Sequence, residues 1–259
     1  MRLALNDKVV FLAGSSRGIG YATAKGFLQE GAKVVLSGRD RDKLLDASDA
    51  LSIEFGDKRV YPICGDLSDT SVLIPALDEV EQNFGNIFSV VANIGNGTGP
   101  KGIRLTSDDW LTALNENLLA ATRLASETLH RLENRGEGSM TFVTSIAGIE
   151  EMGAPTPYAT AKAGLLMAMK SYARQVGHTG VRVNAIAPGN VLFPGGTWAR
   201  KLEEEPELTE SYIEQEVALR RFATPEEIAN VLVFLASDRS SFVSGSVWVV
   251  DGGQLRSAR

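Results

Sequence analysis

Tyr158 and Lys162 stand in the run Tyr-Ala-Thr-Ala-Lys, within a stretch whose apolar spacing predicts a helix. Four residues is slightly more than one turn, so both side chains leave the same face and can reach one substrate. A free phenol titrates near pH ~10, too high for useful proton exchange at neutral pH. A neighbouring ammonium favours the phenolate and brings that value down. Such a pair can serve as a general acid/base on an alcohol or carbonyl oxygen. The same spacing also describes an ordinary amphipathic helix face, so the elements around it must separate the two readings.

Those elements alternate almost from end to end. Val9–Ala13, Lys33–Ser37, Arg59–Ile63, Ile87–Asn93, Ser139–Thr144, Val181–Ala187 and Ser246–Val250 read as short β-branched strands. Tyr21–Gln29, Val72–Phe84, Trp110–Leu132 and Ala159–Val176 carry helical apolar spacing. Strands this apolar, joined by helices, predict one doubly wound α/β domain over residues 1–259, with a parallel sheet of about seven strands covered on both faces. Residues 190–219 break the rhythm with Pro194, a Gly-Gly pair, Trp198 and the acidic run Glu203–Glu207, and no strand. A loop of that length reads as a lid over a site, or as a solvated excursion. The polar tail after Asp251-Gly252-Gly253 reads as a surface end without chemistry.

Composition narrows the function. The chain has 44% hydrophobic and 22% charged residues, ordinary for a folded soluble protein. A formal charge of -6 with no basic run argues against a nucleic-acid partner. One cysteine, Cys64, and two histidines, His130 and His178, leave no disulfide framework and no expected metal site. No stretch is long and apolar enough for a membrane span or a signal core, so a cytoplasmic protein acting on a small molecule is expected.

The first strand ends in Gly14-Ser15-Ser16-Arg17-Gly18-Ile19-Gly20, directly before a helix. Glycines let the backbone approach a pyrophosphate, and the helix N-terminus offers free N–H groups and a positive dipole end. At the end of the second strand an acid would bind a ribose hydroxyl, whereas a cation suits a 2'-phosphate. Here the chain reads Ser37-Gly38-Arg39, and Arg17 lies in the glycine loop. Two converging guanidiniums favour NADP(H), with NAD(H) open if Arg39 merely pairs with Asp40 or Asp42. Asp66-Leu67 and Asn93-Ile94-Gly95 end the third and fourth strands at the sheet edge where a ligand crevice forms. Asp66 can accept from an adenine amino group or cap the following helix, and Ser68 competes for that cap.

The glycine loop, Asn93-Ile94-Gly95, Asn117, Ser145, Tyr158, Lys162 and Pro188-Gly189 occur in an order that resembles the short-chain dehydrogenase/reductase family, across residues 5–253. The resemblance implies a Rossmann-type fold and interconversion of a secondary alcohol and a ketone. Tyr158 would transfer the proton, Lys162 would lower its pKa and bind the nicotinamide ribose, and Ser145, thirteen residues before Tyr158, would orient the substrate oxygen. Asn117 would help hold a water in a proton relay to Lys162. The segment Pro188-Gly189-Asn190-Val191 would close on the nicotinamide, which makes Phe193 and Trp198 candidate walls of the substrate pocket. The substrate is expected to be a 3-oxoacyl thioester or another carbonyl compound. An NAD-dependent sugar or polyol dehydrogenase and a catalytically silent nucleotide-binding scaffold are the other readings. The family also implies a homotetramer or dimer, and Ala120, Ala121, Ala168 and Met169 on the long helices would suit symmetric pairing. Departures from the family pattern are Ala13 before the first glycine, where Thr is usual, Ala92 and Ile94 in the usual Asn-Asn-Ala-Gly, and the loop Asn96-Gly97-Thr98-Gly99-Pro100.

Overall fold

Strand β1, Val9–Ala13, is buried along its whole length. Val9, Phe11 and Ala13 join one apolar core while Val10 and Leu12 join another, as the period of two along a strand requires when both sheet faces are covered. In the computed structural model, which describes residues 2–257, six further strands complete the sheet: β2 Lys33–Gly38, β3 Val60–Cys64, β4 Ile87–Ala92, β5 Ser139–Val143, β6 Arg182–Pro188 and β7 Val247–Val250. All pair in parallel in the order β3-β2-β1-β4-β5-β6-β7. The order reverses between β1 and β4, and a crevice opens there beyond the strands' carboxyl ends. Met1, Ala258 and Arg259, the ends of the expected domain, lie outside the described residues.

The helices are α1 Gly18–Gln29, α2 Arg41–Phe55, α3 Thr70–Asn83, α4 Ser107–Leu114, α5 Ala120–Arg135, α6 Thr156–Val176, α7 Thr197–Glu204, α8 Pro206–Glu216 and α9 Pro225–Ala236. Helices α1, α2 and α9 cover one sheet face; α3, α5 and α6 cover the other. The expected continuous helix over Trp110–Leu132 is interrupted: a π turn, Asn115–Leu119, separates α4 from α5. Asp69, and neither Asp66 nor Ser68, caps α3 by accepting the Ser71 N–H. Residues 190–219 hold α7 and α8, and the isolated parallel bridge Val191–Ala223 closes the base of this excursion.

Two expectations about the periphery change. Ala120, Ala121 and Met169 are buried within the chain's own core, so they cannot form an intermolecular face. The exposed apolar side chains include Leu111, Leu119 and Met167 on α4, the π turn and α6, and Phe242, Val247 and Val249 at and before the edge strand β7. The tail is not a free surface end: Gln254 is buried, and the backbone of Arg256 and Ser257 is hydrogen-bonded to the body. Among the described residues no helix is long and apolar enough to cross a membrane, and no group of three His, Cys, Asp or Glu is placed to hold a metal.

Candidate active site

From the end of β5 the chain passes through Thr144 and Ser145 into a 3-10 turn, Ile146–Gly148. Ser145 caps that turn, its Oγ accepting the Ala147 N–H at 3.1 Å. Helix α6 follows with Pro157 in its first turn, where a missing N–H costs nothing, and carries Tyr158 and Lys162 on one face. Turn and helix are clamped together at Gly148, where a Cβ would fall 2.7 Å from the Lys162 carbonyl carbon. The clamp sets the Ser145 hydroxyl beside the half-buried Tyr158 phenol, where it acts against the rise in the phenol's pKa.

Lys162 is 4% exposed, and its Nζ donates to the carbonyl oxygens of Ile94 and Val143, each at 3.1 Å. These carbonyls lie just past the end of β4 and at the end of β5, so the ammonium fastens α6 to the sheet edge. Asn117, 1% exposed on the π turn, donates from Nδ2 to Ala113 O at 3.0 Å and accepts the Asn96 N–H at 2.9 Å. Gly95 is wedged over both side chains: a Cβ there would meet Asn117 Oδ1 at 2.4 Å and Lys162 Nζ at 2.8 Å. Burial pushes the Tyr158 phenol above its usual value while the Ser145 hydrogen bond pulls against that rise. Burial also brings Lys162 down to about 8. The sequence expectation that the ammonium depresses the phenol is corrected here, because the Nζ is committed to two carbonyls, 5.8 Å from the Tyr158 ring centroid.

Beside this cluster the glycine loop leads into α1. Its N-cap, Arg17, makes no side-chain cap and the first turn holds no acid, so the helix N-terminus keeps its N–H groups and positive end for an anion. A Cβ on Gly14 would lie 2.3 Å from Asn93 O, and one on Gly20 would lie 2.2 Å from Gly14 O. Asn93 Nδ2 braces the loop by donating to Gly14 O at 2.7 Å, and the Ser37 N–H donates to buried Ser15 Oγ at 2.9 Å. A bare backbone concavity at a helix N-terminus fits a dinucleotide pyrophosphate. Ile19 packs inward, and Ser16 lies beside Gly38, next to exposed Arg39. Asp40 caps α2 and pairs with Lys43, and among the described residues no ion pair engages Arg39. Asp66 accepts the Ser68 N–H at 3.0 Å, which holds its carboxyl below the usual range, and Leu67 is buried in the core. Pro188 ends β6, the Gly189 N–H donates to Val250 O at 3.0 Å, and Val191 is buried against Ala223.

Three side chains lie where sequence reasoning did not place them. Arg17 donates to Gly195 O at 3.1 Å and so reaches the base of the 190–219 excursion instead of converging with Arg39. Phe193 sits on the glycine loop, its ring 2.7 Å from where a Gly18 Cβ would be, and so faces the pyrophosphate cradle. Trp198 stacks on Tyr212 at 5.4 Å, tilts on Phe222 at 5.5 Å and carries Lys201 Nζ 4.2 Å from its ring centroid, which makes it the hub of the excursion's own small core. Gly97 was not singled out, yet its Cβ position is 3.9 Å from the Tyr158 hydroxyl; the glycine-rich run was the only sequence signal.

Residues 13–254 match the protein family described as enoyl-(acyl carrier protein) reductase. The chain belongs to the short-chain dehydrogenase/reductase family. Its relatives within that family include a 3-oxoacyl-(acyl-carrier-protein) reductase of Thermotoga maritima, 32% identical over 254 residues, which span 97% of this chain and 99% of the relative. An acetoacetyl-CoA reductase of Synechocystis is 32% identical over 253 residues, 97% of this chain and 98% of that one. Among solved structures, L-sorbose reductase from Gluconobacter frateurii, complexed with NADPH and L-sorbose, superposes with a TM-score of 0.93 at 32% identity and full coverage of both chains. As a short-chain dehydrogenase/reductase the chain is an oxidoreductase, and Ser145, Tyr158 and Lys162 stand at the carboxyl edge of its sheet.

Proposed function

We propose that this short-chain dehydrogenase/reductase uses NADP(H) to interconvert a ketone and a secondary alcohol, with Tyr158 as general acid/base. The observation that carries the reading is the Ser145 turn clamped at Gly148 onto the helix that bears Tyr158 and Lys162, beside the uncapped glycine-loop N-terminus of α1. Nicotinamide, when bound, supplies or takes the hydride. Ser145 holds and orients the substrate oxygen, and the half-buried phenol, protonated at neutral pH, donates its proton to that oxygen as it gains negative charge. Lys162, whose proton burial loosens to about pH 8, is suited to restoring the proton to Tyr158. Asn117 holds the 96–97 backbone over the phenol. A phenol raised in pKa favours carbonyl reduction, since a base for alcohol oxidation must first lose that proton.

Arg39 and Ser16 are the proposed seat of the 2'-phosphate, in line with the NADPH of the sorbose reductase complex. The relatives support 3-oxoacyl thioesters and ketoses as the carbonyl classes to test first. The two exposed apolar faces support assembly of this single domain into a homo-oligomer.

Replacing Tyr158 with Phe removes the proton donor and keeps the ring. Reduction of acetoacetyl-CoA or L-sorbose should fall about 10³-fold, about 4 kcal/mol of barrier, with NADPH affinity within about twofold. For the native enzyme the reductive rate should hold through neutral pH and fall as the phenol ionises in alkali, while oxidation rises over the same range. Turnover that survives Tyr158→Phe would overturn the mechanism. NADPH binding without reduction of any carbonyl would favour the silent scaffold, and preference for NADH in alcohol oxidation would favour the polyol dehydrogenase.

A further inference from the structure

The residues after β7 do not trail away from the fold. Asp251 turns them back, its two carboxylate oxygens accepting the Gly253 and Leu255 N–H groups at 2.9 and 2.8 Å. Gly252 and Gly253 adopt φ of 65° and 79°, and a Cβ on either would fall 2.9 Å from Val217 or Ala218 at the end of the 190–219 excursion. Beyond this turn Gln254, 2% exposed, donates from Nε2 to the Tyr212 hydroxyl at 2.8 Å, and Tyr212 is the ring on which Trp198 stacks. Arg256 pairs with Glu216 at the end of α8 at 2.9 Å. The N–H groups of Arg256 and Ser257 then donate to the two oxygens of Glu150 at 3.3 and 2.9 Å. The Glu150 N–H donates to Ile146 O at 3.0 Å, in the turn that Ser145 caps.

We propose that the segment 254–257 is a strap joining α7 and α8 to the Ser145 turn, with Gln254 and Glu150 as positioning residues for the carbonyl substrate. The proposal rests on the reading of Ser145 and Tyr158 as the reacting pair. One end of the strap grips the aromatic core of the lid and the other fixes the backbone that aims the Ser145 hydroxyl. The cofactor cradle lies on separate supports, Asn93, Ser15 and Ser37. The lid meets the glycine loop through Phe193 and Arg17, but no strap residue does, so cutting the strap acts on substrate binding before it acts on the dinucleotide. Gln254 Oε1 and Asn190 Nδ2, on segments that meet at Gly189 and Asp251, are buried without a protein hydrogen-bond partner. An opened lid returns such groups to water, which is the behaviour of a two-state element.

The test uses the full chain and the variants Glu150→Ala, Gln254→Ala and their double, with circular dichroism to establish folding. Trypsin cleavage after Arg200 and Lys201 in saturating NADPH reads the lid, KM for acetoacetyl-CoA or L-sorbose reads substrate positioning, and NADPH fluorescence reads the cradle. Each single variant should raise KM and the cleavage rate about tenfold with the NADPH dissociation constant within about twofold. Because one strap is cut either way, the double should be no worse than the stronger single. Glu150→Gln, which keeps one acceptor, should recover part of the loss, and the 80% exposed Arg256 side chain should give a weaker effect as Arg256→Ala. Additive singles, unchanged cleavage, or an NADPH constant that rises with KM would each overturn the strap. Should a variant fail to fold, Glu150→Gln and Arg256→Ala carry the test. Should Tyr158→Phe retain turnover, the reaction assignment falls while the cleavage result still judges the strap.

Discussion

Lys162 is held as an ammonium among apolar side chains with only two carbonyl oxygens for company. In the folded chain it keeps its proton only to about pH 8, against 10.5 for the free side chain. Between those values the unfolded chain binds more protons, so stability rises with pH across that window, and the penalty is fully present below it. At about 1.4 kcal/mol per pH unit the penalty is about 3 kcal/mol at pH 7. Lys162→Met removes it but strands the carbonyls of Ile94 and Val143, each worth about 1 kcal/mol. The variant should be inactive, and its stability relative to the native chain in urea denaturation should fall as pH rises from 8 to 10.5. A variant that is less stable at pH 7, by a margin independent of pH, would refute this account. Such a trade of stability for a poised proton is usual at working sites.

At the scale of elements, the glycine loop and the lid share a border. Phe193 lies on Gly18 and Arg17 holds Gly195, so the proposed phosphate cradle also seats the 190–219 excursion. Arg39, which no ion pair diverts among the described residues, is the proposed selector of the cofactor. Arg39→Ala should weaken NADPH at least about tenfold relative to NADH, the size of a lost charge-assisted contact. Arg17→Gln should leave that ratio within about twofold while speeding trypsin cleavage of α7. Fluorescence titration with both dinucleotides decides it, and a ratio that collapses in Arg17→Gln would return Arg17 to the 2'-phosphate. The π turn at Asn115–Leu119 belongs to this scale too. Apolar periodicity predicted one helix there, because an added residue in one turn hardly disturbs a period of 3.6.

For the whole molecule, exposed apolar surface points to assembly, against the mutual repulsion of copies that each carry a formal charge of -6. Met167 is 70% exposed on α6 near exposed Leu111 and Leu119, and β7 leaves Val247 and Val249 open on the last strand of the sheet. Two such faces, each pairing with its own copy, would give a tetramer of dihedral symmetry. Light scattering should report a tetramer, and Met167→Glu or Val249→Glu should each leave a dimer held by the other face. A monomeric native protein would refute the assembly.

The sequence alone determined the alternation of strand and helix, the glycine loop before α1, and the Ser145, Tyr158 and Lys162 spacing, because each is written in local period or motif. Strand ends came within a residue of those observed, since β-branched runs bounded by glycine and polar residues leave little choice. Tertiary structure decided what depends on the third dimension. It turned Lys162 toward two strand-end carbonyls, gave Arg17 to the lid, put Trp198 inside a small aromatic core and drew the tail from β7 onto Glu150. None of these follows from spacing, because each is a contact between segments distant in the chain, chosen by which polar groups burial leaves in need of partners.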